Sequence, residues 1–386
     1  FDNGTLLSTR PIVNGTAALA DVATLTSGRH VITAEYIGSA NSKLSRSDPK
    51  TVIVDGLQGG EVTVNSTVSG SQLEASSSRA VREGYVVSWT SPGVGGTDIF
   101  QRIYLRNGSQ RVGQLRVNSS VTGSQSGSRT AALAGGGHVV VWTGPDTSQT
   151  GVFGQAFTSA GLKIGAEFQV NNTSTGLEGA PSVVGLTSGG FAVVWHSKSA
   201  GGSSSARLRV FNALGVAVSS EIIVNLAGTA ASYPVVTALR NGRLAVFWLS
   251  ADLNATAKVI KARLFSASGS PVSAEFIAST NSANVKSSIR AATLSDGSFV
   301  GTWISNGQDG SAGGVYLQRF QENGSRQGGE TRVNRTAAGD QQQPNIAAFP
   351  GGGMIVVWAE RTTATGARSI RFQRYDVAGL PADTDV

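Results

Sequence analysis

Three aspartates stand in comparable stretches of the chain and are the clearest candidates for acid–base chemistry. Asp98, Asp146 and Asp309 each follow a tryptophan within nine residues. Glycoside hydrolysis needs two carboxyl groups held roughly 5 to 10 Å apart, which such acids could supply if the fold brought them to one rim. Turn formation explains aspartate at these positions more simply, and comparable stretches elsewhere carry no matching acid. We therefore expect no catalytic pair.

The three histidines do not have the spacing of metal ligands. His30, His138 and His196 lie far apart in the chain or in different local phrases, and we expect all three to be structural. The chain contains no cysteine, which excludes thiolate chemistry and thiolate metal sites. Asp309 lies in "NGQDG", a partial calcium-loop phrase that lacks the usual ladder of aspartates. Apart from this weak calcium candidate, no cofactor is expected.

Ten Asn-x-Ser/Thr sequons are candidates for N-glycosylation, which would require a secretory route. They are Asn3, Asn14, Asn65, Asn107, Asn118, Asn171, Asn172, Asn254, Asn323 and Asn334. Asn65, Asn118, Asn171 and Asn334 share one position of a repeated phrase. That phrase also belongs to organisms that do not modify it, so the alternative is that these sequons have no role in glycosylation.

Every tryptophan of the chain ends a short apolar phrase, as in "GGGHVVVWTG" at 135–144 and "GGGMIVVWAE" at 351–360. The six are Trp89, Trp142, Trp195, Trp248, Trp303 and Trp358, at separations of 53, 53, 53, 55 and 55 residues. A fixed period of this length indicates a repeat architecture. Because each indole closes an apolar strand, we expect packing inside the repeat rather than platforms for sugar stacking.

Each repeat contains four short segments of β type separated by turns. An aromatic ring follows each tryptophan by 15 to 17 residues, then a turn, then a segment that ends near "VN". The segment before the tryptophan is apolar at nearly every position, which is typical of a strand covered on both faces. A four-stranded unit repeated in this way predicts a β-propeller blade. A β-solenoid is the competing interpretation.

The two ends of the array predict how the blades close. "GEVTVN" at 60–65 precedes the first full repeat, whereas "DVAGLPADTDV" after Tyr375 offers no such segment. Pairing of residues 61–65 beside the strand that ends at Tyr375 would close a six-bladed propeller by shared strands, which removes exposed edges. The predicted blades span about 57–112, 113–164, 165–218, 219–272, 273–327 and 328–386.

The best copies of the repeat are "GGETRVNRTAAGDQQQPNIAAFPGGGMIVVW" at 328–358 and "SNGQDGSAGGVYLQRFQENG" at 305–324. They resemble a repeat of large bacterial surface and calcium-associated exoproteins. The resemblance covers residues 57–386 and implies a propeller-like extracellular module. The fourth and fifth repeats depart most from the pattern.

Residues 1–56 carry no tryptophan and no copy of the repeat. The phrase "RHVITAEYIGSAN" resembles the bacterial Ig-like repeat, which implies a β-sandwich used as a spacer or adhesive module. Such a sandwich needs about 100 residues and seven strands. We therefore expect a partial Ig-like domain whose remaining strands lie in missing sequence or come from another chain.

Composition and charge complete the expected function. The formal net charge is +7, but the basic residues are scattered singly, so we expect no nucleic-acid partner and no membrane insertion. The sequence thus predicts an all-β, secreted or cell-surface glycoprotein without enzymatic activity. Its role would be structural or adhesive, as the subunit of a surface filament or coat that self-associates or binds other surface proteins. The alternatives are a glycan-binding, lectin-like propeller and a propeller hydrolase or lyase.

Overall fold

The computed structural model describes residues 1–13, 28–39, 42–54, 62–67, 69–80, 84–172, 176–202, 204–251, 259–363 and 366–382. The chain divides into two compact units, Phe1–Thr63 and Val64–Val386. The observed boundary lies seven residues after the predicted one at 56. Within the described residues the secondary structure is entirely β, and no helix is long and apolar enough to span a membrane.

The first unit contains two pairs of antiparallel strands. Strand β1 (Gly28–Ile32) pairs with β4 (Lys50–Val54), and β2 (Glu35–Tyr36) pairs with β3 (Ser45–Arg46). His30 is buried and its Nδ1 lies 2.5 Å from Asp2 Oδ2. This contact gives His30 a structural role, as expected. The two strand pairs do not by themselves establish an Ig-like sandwich, which stays a prediction.

The described residues of the second unit form six consecutive groups of antiparallel strands, which we call sheets; one parallel pair, Thr150 with Leu177, joins the second and third groups into a continuous eight-stranded sheet. The first sheet contains β5 (Leu73–Ala80), β6 (Gly84–Gly93), β7 (Gly96–Leu105) and β8 (Gln110–Arg116). The second contains β9 (Ser126–Ala132), β10 (His138–Pro145), β11 (Thr150–Phe157) and β12 (Lys163–Gln169). The third contains β13 (Leu177–Gly185), β14 (Phe191–Lys198), β15 (Ser204–Phe211) and β16 (Ile222–Ile223).

The remaining three sheets repeat this order. The fourth contains β17 (Ala230–Ala238), β18 (Leu244–Ala251), β19 (Val259–Phe265) and β20 (Phe276–Ile277). The fifth contains β21 (Lys286–Thr293), β22 (Phe299–Asn306), β23 (Gly313–Phe320) and β24 (Arg326–Arg332). The sixth contains β25 (Asp340–Ala348), β26 (Met354–Arg361) and β27 (Ser369–Tyr375). The predicted four strands per repeat are thus present in the first five sheets.

The second strand of each sheet carries the tryptophan, and all six indoles are at most 4% exposed. In β14 the five residues from Phe191 to Trp195 are all buried, as predicted for a strand covered on both faces. In the second, third and fifth sheets the aromatic ring that ends the third strand stacks on the ring of the first residue of the second strand. Phe157 lies on His138 with 4.8 Å between ring centroids, and Phe211 lies on Phe191 at 5.1 Å.

The asparagine of the "VN" phrase ties the end of the fourth strand to the third strand. Asn118 Oδ1 accepts a hydrogen bond from the Ile99 amide at 2.8 Å, and the asparagines of the second, third and fifth sheets make the same bond. The residue after this asparagine then donates its amide to a glutamate of the next sheet. One such bond joins Ser119 to Glu167, and three more sheet junctions repeat it.

The predicted closing strand is not present. Residues 62–65 form no strand, and Glu61 lies outside the described residues. Tyr375 forms a bridge with Pro381, and the Ala382 amide donates to the Arg374 carbonyl. In the third sheet the segment after the third strand forms the same kind of bridge, between Phe211 and Ala217. An isolated bridge therefore follows β27, and no further strand follows it among the described residues.

His138 gives the second sheet a pH-dependent stability. Burial lowers the pKa of His138 to about 4, whereas an unfolded histidine has a pKa near ~6.5. Because the folded pKa is the lower one, the unfolded chain takes up the proton first. Stability is therefore present above about pH 6.5 and is lost as the pH falls toward 4, by roughly 3 kcal/mol in total.

We expect His138→Phe to remove this loss, because phenylalanine occupies the same place in the third and fifth sheets. Urea unfolding at pH 7 and pH 4.5 measures the difference. An identical pH dependence in the variant and the parent protein would contradict this assignment. The variant also leaves Gln101, the present partner of His138 Nε2 at 2.8 Å, without that bond.

Candidate functional site

A β-bulge interrupts the first strand of every sheet at the same place. One residue there has a positive φ between 48° and 66°, and the pairing register shifts beside it. The six residues are Glu74, Gly127, Ala180, Tyr233, Ser288 and Gln343. Five of them are not glycine, so each stores backbone strain of about 1 kcal/mol or more. Strain of this kind is concentrated at functional sites, which draws attention to the first strands.

The first strands lie side by side. The Thr130 amide of the second sheet donates to Ser76 Oγ of the first, and the Val236 amide of the fourth donates to Ser182 Oγ of the third. Thr237 and Thr293 join the fourth and fifth sheets at 3.0 Å. The bulges of the six first strands therefore lie along one row.

Two arginines occupy the position two residues after the bulge, in the second and fifth sheets. Arg129 and Arg290 are half-buried, and each donates a hydrogen bond to the carbonyl oxygen of the preceding residue. Burial lowers the pKa of both guanidinium groups, and the charge of Arg129 lowers the pKa of Arg290 further. Arg129 and Arg290 thus lie near each other although they are three sheets apart. We call the region beside the bulges of the first strands, which includes Arg129 and Arg290, the channel.

Neither arginine forms an ion pair with a carboxylate among the described residues. The charge of Glu74 raises the pKa of Arg129. Glu74 itself accepts hydrogen bonds from Thr90 Oγ1 and from the Gly127 amide. The channel therefore holds two cationic groups and one carboxylate that is already bound by its neighbours.

A histidine and a tyrosine meet at the level of the bulges. The ring centroids of His196 and Tyr233 are 6.0 Å apart, and Tyr233 is 59% exposed. Burial, and then the charge of Lys198, lowers the pKa of His196, which keeps the imidazole neutral at pH 7. His196 Nε2 is buried and no protein atom is hydrogen-bonded to it. His138 is buried and its Nε2 is bonded to Gln101, whereas His196 Nε2 is buried without such a bond, so the structural role expected for His196 stays a prediction.

The three aspartates considered from the sequence do not form a pair. Asp98 Oδ1 accepts from Asn118 Nδ2 at 2.6 Å, and Asp309 Oδ2 accepts from Asn334 Nδ2 at 3.3 Å. Asp146 Oδ1 accepts from Ser148 and Gln149 within its own turn. Each carboxylate is thus bound within its own sheet. Asp146 and Asp309 lie in turns, as expected, whereas Asp98 is buried within β7, so its expected place in a turn is wrong.

No group of three His, Cys, Asp or Glu suited to a metal ion occurs in the part of the chain that the structure describes. At Asp309, Oδ1 accepts from the Ser311 amide at 3.2 Å while Oδ2 is bound by Asn334. Both oxygens of the calcium candidate are therefore used by the blade itself.

The sequons separate into two groups. Asn118, Asn171 and Asn334 are at most 3% exposed, and their side chains hold the third strand, so a glycan on any of them would break the blade. This structural role contradicts their assignment as glycosylation sites. Asn14 and Asn254 lie outside the described residues. Asn3, Asn107, Asn172 and Asn323 are exposed and Asn65 is half-buried, and these stay predictions.

No protein-family model matches the sequence, and no curated protein matches it. Solved structures do resemble the fold. A Dyadobacter fermentans protein of unknown function aligns with a TM-score of 0.55 and 10% identity over 78% of this chain and 93% of that chain. A polysaccharide lyase, ulvan lyase, gives 0.58 and 9% over 81% and 82%. A Penicillium chrysogenum α-L-arabinanase gives 0.52 and 14% over 80% and 94%.

These similarities support a β-propeller-like, all-β fold. They contradict the expected structural or adhesive role without catalysis, because the ulvan lyase and the arabinanase are both carbohydrate-cleaving enzymes. The sequence interpretation missed Arg129, Arg290 and Tyr233. The signal that could have found them is departure from the repeat, since Ser76, Ser182, Val235 and Asn345 occupy the places equivalent to the arginines.

One buried carboxyl group, Glu178, has a raised pKa without belonging to the channel. It is 1% exposed, its oxygens accept from Trp195 Nε1 at 2.7 Å and Ser197 Oγ at 2.8 Å, and burial raises its pKa. A raised pKa means that stability is greatest below the unfolded value and falls as the pH rises through the folded one. Gln125 accepts from Trp142 at the matching place in the second sheet, at 3.1 Å.

We therefore expect Glu178→Gln to raise the melting temperature at pH 7 and to leave it nearly unchanged at pH 4. Thermal unfolding followed by circular dichroism at both pH values provides the test. Gln125→Glu is the matched reverse change and should lower the melting temperature at pH 7. A loss of stability on Glu178→Gln at pH 7 would show that the charged carboxylate is the better partner for Trp195.

Proposed function

We propose that this protein cleaves an acidic polysaccharide in the channel, by β-elimination beside a uronate carboxylate. The observation that carries the proposal is that the charge of Arg129 acts on Arg290, although these half-buried guanidinium groups belong to the second and fifth sheets. Like charges held together in a partly desolvated place favour an anionic ligand, and guanidinium groups bind carboxylates with matching geometry. The ulvan lyase of similar fold is a polysaccharide lyase solved with bound -[GlcA(1-4)Rha3S]-.

In this reaction the two guanidinium groups bind the uronate carboxylate and stabilise the negative charge that develops when the proton on C5 is removed. The neutral imidazole of His196 accepts that proton. The electron pair of the C5–H bond forms the C4=C5 double bond, and the C4–O bond of the glycosidic link breaks. The phenol of Tyr233 donates a proton to the departing oxygen, and proton exchange with solvent restores both side chains.

Hydrolysis fits the described residues less well. A hydrolase needs two carboxyl groups with roughly 5 to 10 Å between them. Glu74 is the one acid seen among the described bulge residues, and both of its hydrogen-bond donors come from the protein. Asp98, Asp146 and Asp309 are bound within three separate sheets. Proton transfer by histidine and tyrosine beside cationic groups therefore has more support.

The proposal includes a ring of six sheets around the channel. The effect of Arg129 on Arg290 supports such curvature. Gln114 Oε1 accepts from the Ser66 amide at 2.8 Å, the bond that a glutamate makes at the next four sheet junctions. Residues 64–66 thus lie beside the first sheet in the position that the end of a fourth strand occupies beside each of the next four sheets. The segment after β27 and residues 64–66 together would complete the sixth blade.

Turnover of uronate polysaccharides tests the proposal. The product carries a C4=C5 double bond conjugated to the carboxylate, and ultraviolet absorbance detects it directly. We expect activity on at least one of polyglucuronate, alginate, pectate, hyaluronan and ulvan. Loss of general acid or base groups costs about 10²- to 10⁴-fold, so His196→Gln and Tyr233→Phe should lower kcat by that range. Arg290→Gln should lower kcat/KM by about 10²-fold or more.

Asp146→Asn is the matched control, because Asp146 is bound within an outer turn and should leave turnover unchanged. Binding of acidic polysaccharide without any unsaturated product contradicts cleavage. Release of saturated ends from neutral arabinan contradicts both the reaction and the substrate class.

A further inference from the structure

One position inside the blades changes its hydrogen-bonding chemistry from sheet to sheet. It lies 17 residues before each tryptophan, at Gln125 in the second sheet, Glu178 in the third and Lys286 in the fifth. In the third sheet Glu178 stands opposite Ser197 in the ladder and accepts from both Trp195 Nε1 and Ser197 Oγ. In the fifth sheet Lys286 stands opposite Ser305 in the same way.

Lysine at this position donates hydrogen bonds, whereas glutamate accepts them. An ammonium group has three donors and no acceptor, and an indole nitrogen is also a donor only. Lys286 is 1% exposed, and Trp303 and Ser305 are fully buried. Lys286 Nζ donates to the Asn284 carbonyl at 2.7 Å, while Trp303 Nε1 and Ser305 Oγ have no protein partner. Lys286, Trp303 and Ser305 therefore offer hydrogen-bond donors at the position where the third sheet has the carboxylate of Glu178.

Lys286 supplies the positive charge at this place, and the negative charge of Glu330 acts on it. Glu330 is near enough to raise the pKa of Lys286, but burial outweighs it and lowers that pKa. The oxygens of Glu330 already accept from Thr280 and from Gln308 Nε2. A buried ammonium is costly, and Glu330 offsets only part of that cost, so an anion in direct contact with Lys286 would offset more of it.

We propose that the fifth sheet binds a halide ion, chloride under physiological conditions, between Lys286, Trp303 and Ser305. A halide accepts from several donors at once, as this set requires. It also needs little space, which suits side chains that are almost completely buried. Sulfate and phosphate would bring more oxygen atoms than these three groups can satisfy. The site is independent of the channel and of the proposed cleavage reaction.

Bromide replaces chloride and is visible by anomalous X-ray diffraction. We expect crystals of the protein grown in bromide to show an anomalous peak in contact with Lys286 Nζ and Trp303 Nε1. A water molecule at this place, with no anomalous signal in bromide, would overturn the proposal. This measurement uses the parent protein, so it does not depend on how a variant folds.

A solution experiment gives an independent result. In sodium chloride the melting temperature should exceed that in sodium gluconate of equal ionic strength by about 2 °C or more, because an ion that binds only the folded state stabilises it. Lys286→Gln, which copies Gln125, should abolish the chloride-specific difference. Glu178→Gln, at the same position of the third sheet, should keep it. An equal chloride effect in the parent protein and Lys286→Gln would assign the effect to another site.

Discussion

The structure depends on burying, in each sheet, a second strand that has no solvent-exposed face. Each tryptophan lies in a second strand that is covered on both sides, and four of the six indoles are completely buried. Neighbouring sheets supply part of this cover. Trp248 belongs to a cluster that includes residues of the third sheet, and Trp303 packs in a cluster shared with the fourth. A single sheet could not bury its own tryptophan, so the blades are stable only as an array.

The packed array also brings together side chains that are far apart in the sequence. Side-by-side packing places the first strands in one row, and the same bulge occurs in each of them. Six bulges at one level form a lining in which a side chain of one blade reaches its neighbours. Tyr233 of the fourth sheet meets His196 of the third in this way, and Arg290 of the fifth lies near Arg129 of the second. Packing of the tryptophans thus sets the geometry of the candidate site.

The sequence predicted the repeat and its strands because both follow from local patterns. Tryptophan spacing, apolar phrases and turn residues identified the second and third strands within a few residues. The hydrogen bond from the third strand to the side chain of Asn118 was not predicted. The sequence "VN" followed by serine or threonine indicates a glycosylation sequon, and only the structure shows that the asparagine side chain holds the third strand. The channel was also missed, because nothing local distinguishes Arg129 from the scattered surface arginines. Its meaning depends on Arg290, 161 residues later in the sequence.

Function in such a protein is expected where the repeat is broken. A position that must only pack can hold the same residue in all six blades, as the tryptophan does. The places equivalent to Arg129 instead hold serine, valine, asparagine or arginine, and those equivalent to Lys286 hold glutamine, glutamate, alanine or lysine. A charged residue placed there loses solvation and needs a partner. For Glu178 the blade supplies that partner through Trp195 and Ser197. Arg129, Arg290 and Lys286 donate to backbone carbonyl oxygens, and although the charges of Glu74 and Glu330 act on Arg129 and Lys286, no ion pair to these three is seen among the described residues. An anion from outside the chain in direct contact would balance their charge more closely.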